Sequence, residues 1–257
     1  MSTPLYALLS PAKLMDETQR YNGTGSTQPI FLEEAKTIAA TLKKYKPAEL
    51  KKLLDISDDL TRQTAERIQA WKTPILQDQA TLAIQLFKGE VYRGLDAPTL
   101  TEKDLTWAQE HIGILSGWYG ILRAKDLVLP YRLMMGTRFA PTPKDASLYA
   151  YWTAKITDHL NNIVDPKGHV IQLASEEYFK VIDRKKLVPN IVTCDFLEHR
   201  NGTYKMVSTL AKQARGMMAR YIIDERIVDP KKLVHFTSGS YRHDAARSTS
   251  SHLVFVR

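Results

Sequence analysis

The residues of this sequence whose types and spacing could do chemistry are mostly basic side chains beside glycines and the ends of apolar runs. Ser10 and Lys13 stand in the loop Ser10-Pro11-Ala12-Lys13, directly after the apolar run Leu5–Leu9. That run reads as a buried strand. In α/β proteins ligands collect at the carboxyl ends of strands. Ser10 and Lys13 are therefore candidates to bind an anion, and Lys13 to act as acid or base; a solvated turn would use the same residues. Lys88 and Tyr92 belong to a second such segment, Lys88–Gly94, whose Gly89 and Gly94 suit close approach to a ligand, or an edge strand with flanking turns. Glu176 and Glu177 are paired carboxylates. Such pairs can share acid–base work, but two glutamates opening a helix are expected to serve its dipole.

The longest stretch of this kind is Leu115–Phe139. Gly117 and Gly120 bracket Trp118 and Tyr119, with apolar runs on either side. The pattern predicts helix, tight glycine turn, helix. Free N–H groups at the start of the second helix would form an anion site. Arg123, Lys125, Arg132 and Arg138 follow within the same stretch. Two readings stand: a helix-hairpin-helix that holds a nucleic-acid phosphate, or an architectural αα-hairpin.

Other chemistries lack their patterns. The seven histidines never fall at HxxxH spacing, and one cysteine cannot build a zinc ribbon, so no metal is expected. Neither GxGxxG nor GxxxxGK occurs, so no dinucleotide or ATP fold is expected, and no cofactor. Cys194 lies in an apolar run without a resolving thiol and reads as a core residue.

Several elements must hold these residues in place. Leu32 to Tyr45 has helical spacing and stops at Pro47; Ala48–Leu54 reads as a short helix; Ser57 reads as the N-cap of a helix reaching Trp71. Gln19–Gln28 is a polar loop, Ala80–Phe87 a further helix, and Thr101–Asp104 a capping-box start. Leu148, Trp152, Ile156, Leu160 and Ile163 form a core stripe. Val170–Leu173 is a short strand, and Asn201-Gly202 joins strands Ile191–Leu197 and Tyr204–Val207 as a hairpin. In the helix Thr209–Ile227, Leu210, Ala214, Met217 and Tyr221 share one side, with Lys212, Arg215 and Arg226 opposite and Arg220 at the margin. That basic face could lie along a phosphate backbone or simply be solvated.

With 257 residues, 44% hydrophobic, no visible repeat and no linker, the chain is expected to form a single α/β domain over residues 1–257. No apolar run reaches membrane-spanning length, and the first residues lack the basic region of a signal peptide. A lone cysteine fits a reducing compartment. The net charge of +8 favours anionic partners, nucleic acid first.

The sequence resembles the YaaA family of bacterial peroxide-stress proteins. The resemblance rests on SPAK at Ser10–Lys13, FKGEVYRGLDA at Phe87–Ala97, the Leu115–Phe139 stretch, LASEEYFK at Leu173–Lys180 and AKQARGMMARYIIDERI at Ala211–Ile227, in that order. It implies a cytoplasmic α/β protein with a mixed sheet surrounded by helices, a positively charged cleft, and double-stranded DNA bound by its phosphate backbone through a helix-hairpin-helix. No membrane and no obligate protein partner are implied. It implies a DNA-binding set of Lys13, Lys88, Gly117, Gly120, Arg123, Lys125, Arg132, Arg138, Lys180, Lys212 and Arg215, of which Lys13, Lys88, Arg132 and Lys180 are expected in one cleft. The expected role is limiting peroxide- and iron-dependent DNA damage. Some relatives look like enzymes acting on nucleobases, so the alternative is an enzyme for a nucleotide, nucleobase or nucleic acid, with Ser10, Lys13 and Arg132 near the chemistry. A third possibility is an interaction module whose charge is incidental. The chain departs from the family at Ala124, where proline is usual, and at Tyr241–Ser250, where an acidic stretch is replaced by Arg242, His243 and Arg247.

Overall fold

A mixed eight-stranded sheet occupies the centre of the molecule. The computed structural model describes residues 2–18 and 20–257. β1 (Thr3–Leu9) is buried at every residue but Pro4, as its unbroken apolar run requires, and β2 (Leu14–Met15) follows the Ser10–Lys13 loop. Helices α1 (Leu32–Leu42), α2 (Pro47–Leu54) and α3 (Asp58–Ala70) come next, and the Ser57 hydroxyl accepts from the Leu60 N–H at the start of α3.

The expected helix over Ala80–Phe87 does not form as one piece. It is divided into β3 (Thr81–Leu82), the single turn α4 (Ala83–Leu86) and β4 (Phe87–Lys88). β4 pairs with β2, opposing Lys88 to Leu14. Lys88–Gly94 is thus only partly strand, because Glu90–Leu95 turns into helix α5. The capping box of Thr101 and Asp104 opens α6 (Glu102–His111).

The helix-hairpin-helix expected at Gly117–Gly120 does not form. β5 (Ile112–Ser116) and β6 (Gly120–Arg123) flank the turn as antiparallel strands, with Ser116 opposite Gly120. Gly120 has φ +71°, and a Cβ there would lie 2.7 Å from the Trp152 ring, so two independent reasons demand glycine. The Ser116 hydroxyl accepts the Trp118 and Tyr119 N–H groups, so those donors face inward and not toward a phosphate. A helical hairpin does occur at α2–α3. Its connection and first turn carry Asp55, Asp58 and Asp59, which disfavour a phosphate there.

After β7 (Leu127–Val128), α7 (Leu148–Ile163) buries Leu148, Trp152, Ile156 and Leu160 as its stripe predicts, while Ile163 is only half-buried. β8 (Val164–Gln172) is longer than expected and leads through Leu173–Ser175 to the short helix α8 (Glu176–Phe179). β9 (Asn190–Arg200) and β10 (Thr203–Lys205) form the Asn201-Gly202 hairpin. α9 (Ser208–Asp224), β11 (Arg242–His243) and β12 (His252–Val256) complete the chain.

The buried face of α9 is rotated from the expected one. Ala211, Ala214, Gly216, Met218, Ala219, Ile222 and Ile223 are buried, whereas Leu210, Met217 and Tyr221 are half-buried. The cause is small-residue packing against α5. A Cβ on Gly216 would sit 1.7 Å from the Val91 carbonyl, and one on Gly94 2.0 Å from the Gln213 carbonyl. The two helices therefore meet backbone to backbone, which turns Lys212 and Arg215 toward the Lys88–Val91 segment.

The sheet runs β11-β12-β9-β8-β1-β5-β6, with β10 on β9. β12, β9, β8, β1 and β5 are parallel neighbours; β11 and β6 are antiparallel edges. From β1 the chain proceeds to β5 on one side, and from β8 to β9 on the other. The crevice outside the carboxyl ends of β1 and β8 is thus a topological switch point, where open α/β sheets bind ligands. Among the described residues no helix is long and apolar enough to cross a membrane.

Candidate functional site

A cleft of about 440 Å³ opens at that switch point. β1 delivers Ser10 to its base and β8 delivers Leu173 and Ser175. The two strand ends are tied together: Ser10 Oγ accepts from the Ser175 N–H at 2.8 Å and donates to Ser175 Oγ at 3.2 Å. The buried Tyr92 donates its hydroxyl to the Ser10 carbonyl at 3.0 Å. Tyr131 and Tyr178 add buried aromatic wall, and Leu133 and Met134 add apolar surface.

The cations come from separate parts of the chain. Lys13, Lys88, Arg132, Lys212 and Arg215 all line the cleft. Arg132 donates to the Lys13 carbonyl at 3.4 Å and so props the strand-end loop. Lys88 pairs with Asp16 at 2.9 Å. Hydrogen bonds from Thr18, and then from Lys88, hold the Asp16 carboxyl well below the usual carboxylate range. Glu90 also lines the cleft but is paired with Arg93 at 3.1 Å. Lys13 and Lys212 have no ion pair among the described residues. Arg215 has no hydrogen bond or ion pair among them either, and its Nε is buried. Burial lowers its affinity for the proton, a sign of a guanidinium short of solvent.

Three of the four residues expected together, Lys13, Lys88 and Arg132, share this cleft. Lys180 lines an adjoining hollow with Tyr149, Glu176 and Arg184, its Nζ 5.4 Å above the Tyr149 ring. Arg138 lines another hollow with Tyr45 and Lys52. Glu177 borders the cleft and both hollows, so the three are contiguous.

Gly117, Gly120, Arg123 and Lys125 are placed elsewhere. Both glycines are buried. Arg123 spans Asp126 at 2.8 Å and the Gln28 carbonyl at 3.1 Å. The Lys125 side chain is 8% exposed, with its Nζ 3.2 Å from Glu102. Arg220, expected at the margin of the basic face of α9, is paired with Asp224, and Arg226, expected on that face but lying beyond the end of the helix, is paired with Asp104.

The chemistry open to the cleft is binding more readily than bond-breaking. No histidine lines it among the described residues, and the Ser10 hydroxyl is spent on Ser175. Burial keeps the phenols of Tyr92 and Tyr131 protonated far above neutral pH, so neither is a ready base. Sequence reasoning missed Tyr131, Tyr178 and Glu90 as lining, although each lies within two residues of an expected site residue, Arg132, Lys180 and Lys88 respectively. Cys194 is buried in β9, and burial pushes its thiol up to about 12, which removes the thiolate that peroxide chemistry needs.

A family model described as peroxide stress protein YaaA matches residues 5–247. The chain is 44% identical over 252 residues to a UPF0246 protein of Bordetella pertussis, covering 97% of this chain and 98% of that one. It is 42% identical over 252 residues to UPF0246 proteins of Albidiferax ferrireducens and Polaromonas naphthalenivorans, covering 97% of each partner in both cases. With the match running from β1 into the segment between β11 and β12, the chain belongs to the YaaA family of peroxide stress proteins.

Proposed function

We propose that this protein acts in the cytoplasm during hydrogen peroxide stress by binding double-stranded DNA, and so limits peroxide- and iron-dependent damage. The observation that carries this reading is the convergence of Lys13, Lys88, Arg132, Lys212 and Arg215 on one cleft. Lys180 and Arg138 extend the positive surface through the adjoining hollows. Lysine and arginine contacts to phosphate supply affinity without reading sequence. The contact surface is therefore the cleft and its rim, with no part for the Gly117–Gly120 turn.

The test is duplex binding across a salt series, with Lys13→Glu plus Arg132→Glu as the variant. Wild-type protein should bind duplexes of unrelated sequence alike. Each lost phosphate contact lowers the slope of log affinity against log salt by about 0.9, so the double variant should flatten it by roughly two. Unchanged affinity and slope in the folded variant would remove the cleft from DNA binding.

A second reading is favoured by the size and place of the cleft. A volume of about 440 Å³ at a switch point suits a nucleotide or nucleobase. Turnover of such a compound, lost on Lys13→Ala or Arg132→Ala, would favour an enzyme; binding without turnover would not.

A further inference from the structure

Arg215 is the group in the cleft that the fold leaves unserved. Its Nε is shut off from solvent and has no hydrogen-bond partner, and its guanidinium has no ion pair among the described residues. The carboxylates that influence it at longer range are already engaged. Asp195 accepts from His252 at 2.9 Å, and Glu176 is paired with Arg184 at 3.2 Å. Arg215 is half-buried, and drawing a charge partly out of water without a partner is costly. Such a guanidinium at the wall of an open cleft has its hydrogen-bonding capacity free for an anion.

Its surroundings narrow the anion. The Ser175 hydroxyl, which accepts from Ser10 and keeps its own proton to donate, stands at the base of the same cleft, and Lys212 lies one helical turn before Arg215 on α9. A hydroxyl donor, a lysine and a forked guanidinium together suit a compact tetrahedral oxyanion. Tyr131, Tyr178, Leu133 and Met134 add a flat, apolar wall for whatever that anion is attached to. A cleft of about 440 Å³ admits one nucleotide, not the body of a duplex whose major groove alone is about 12 Å wide.

We propose that Arg215, with Ser175 and Lys212, forms a subsite for a phosphate monoester carried on a nucleoside, either a free nucleoside monophosphate or the terminal phosphate of a DNA strand. The proposal rests on the cleft being the anion-binding site. It adds that the inner wall takes a phosphate at a chain terminus, while the rim cations take internal phosphates.

The experiment measures binding of inorganic phosphate, adenosine 5′-monophosphate, adenosine, and one blunt duplex made with either 5′-hydroxyl or 5′-phosphate ends. The proteins are wild type, Arg215→Met and Arg215→Lys, each also melted with and without adenosine 5′-monophosphate. The monophosphate should bind and adenosine should not. The 5′-phosphate duplex should bind about ten- to a hundredfold more tightly than its hydroxyl twin, the worth of one charged hydrogen-bonded pair. Arg215→Met should lose monophosphate binding and its melting shift yet melt no lower than wild type, because it loses a half-buried charge that has no partner. Arg215→Lys should recover only part of the binding, since it keeps the charge without the fork. Monophosphate binding without discrimination between duplex ends assigns the subsite to the free nucleotide. Equal affinity for both duplexes with no monophosphate binding overturns the proposal. Arg215→Met that melts well below wild type and still binds the monophosphate overturns it too, by making Arg215 structural. Salt-dependent duplex binding that survives these failures leaves the DNA reading intact; monophosphate binding without duplex binding does the reverse.

Discussion

The Gly117–Gly120 hairpin and the cleft beside Ser10 hold the same kinds of side chain and dispose of them in opposite ways. In the hairpin, Arg123 and Lys125 are folded inward and matched: Asp126, wholly buried, takes Arg123, and Glu102 takes Lys125. In the cleft, Lys13, Lys212 and Arg215 have no ion pair among the described residues. The difference shows that a cluster of cations acquires a functional meaning only once its partners are known. A matched cation is part of the architecture, whereas an unmatched one at a strand end is available to a ligand.

This contrast breaks if the hairpin tolerates loss of its partners. Asp126→Ala should have the largest effect on stability, about 3 to 5 kcal/mol, because it strands Arg123 and the Thr27 hydroxyl that Asp126 also accepts. Denaturant unfolding measures it. Gly120→Val should cost at least about 2 kcal/mol, from both the positive φ and the Trp152 ring. A small loss in either would mean that the hairpin is looser than its packing indicates.

A pH series sharpens the same contrast. His159 packs against Phe31 beside the hairpin, and burial, with a smaller push from Arg123, lowers its imidazole to about 4. The fold therefore favours the neutral ring. The stability that His159 contributes is complete above its ordinary value of 6.5 and is lost as pH falls from there through about 4. Melting temperature should decline over that window, and His159→Gln should flatten the decline. The smallest effect is expected at Cys194, where Cys194→Ser should cost about 1 kcal/mol by burying a hydroxyl. Peroxide survival should be unchanged, since the buried thiol is not a sensor.

Much of the fold was legible in the sequence where a short signal has one physical meaning. Ser57 caps α3, Thr101 and Asp104 form their box, and Asn201-Gly202 turns its hairpin. The stripe of α7 was legible because one face of that helix is buried. The central hairpin was misread because β5 is buried at all five residues. Such a strand loses its alternation and looks like any apolar run. Lys13, Lys88, Arg132 and Lys180 were expected together because each stands at a strand or loop end inside a stretch that resembles the family; the first three line the cleft and Lys180 an adjoining hollow. The unpaired state of Arg215 was not legible, since it depends on Gly94 and Gly216 bringing α5 against α9, far apart in sequence.

The central place of β1 also bears on how the molecule is made. Its neighbours in the sheet are β5 and β8, paired through Ala7 with Ile112 and Leu8 with Gln172. A ribosome therefore releases this strand long before either partner exists. Contacts of such sequence separation slow folding and prolong exposure of apolar strand edges. The Ser10–Ser175 clasp closes only after β8 has docked. The cleft should thus be among the last features to mature, and nascent chains ending before residue 164 should be clients for chaperones and lack the assembled binding surface.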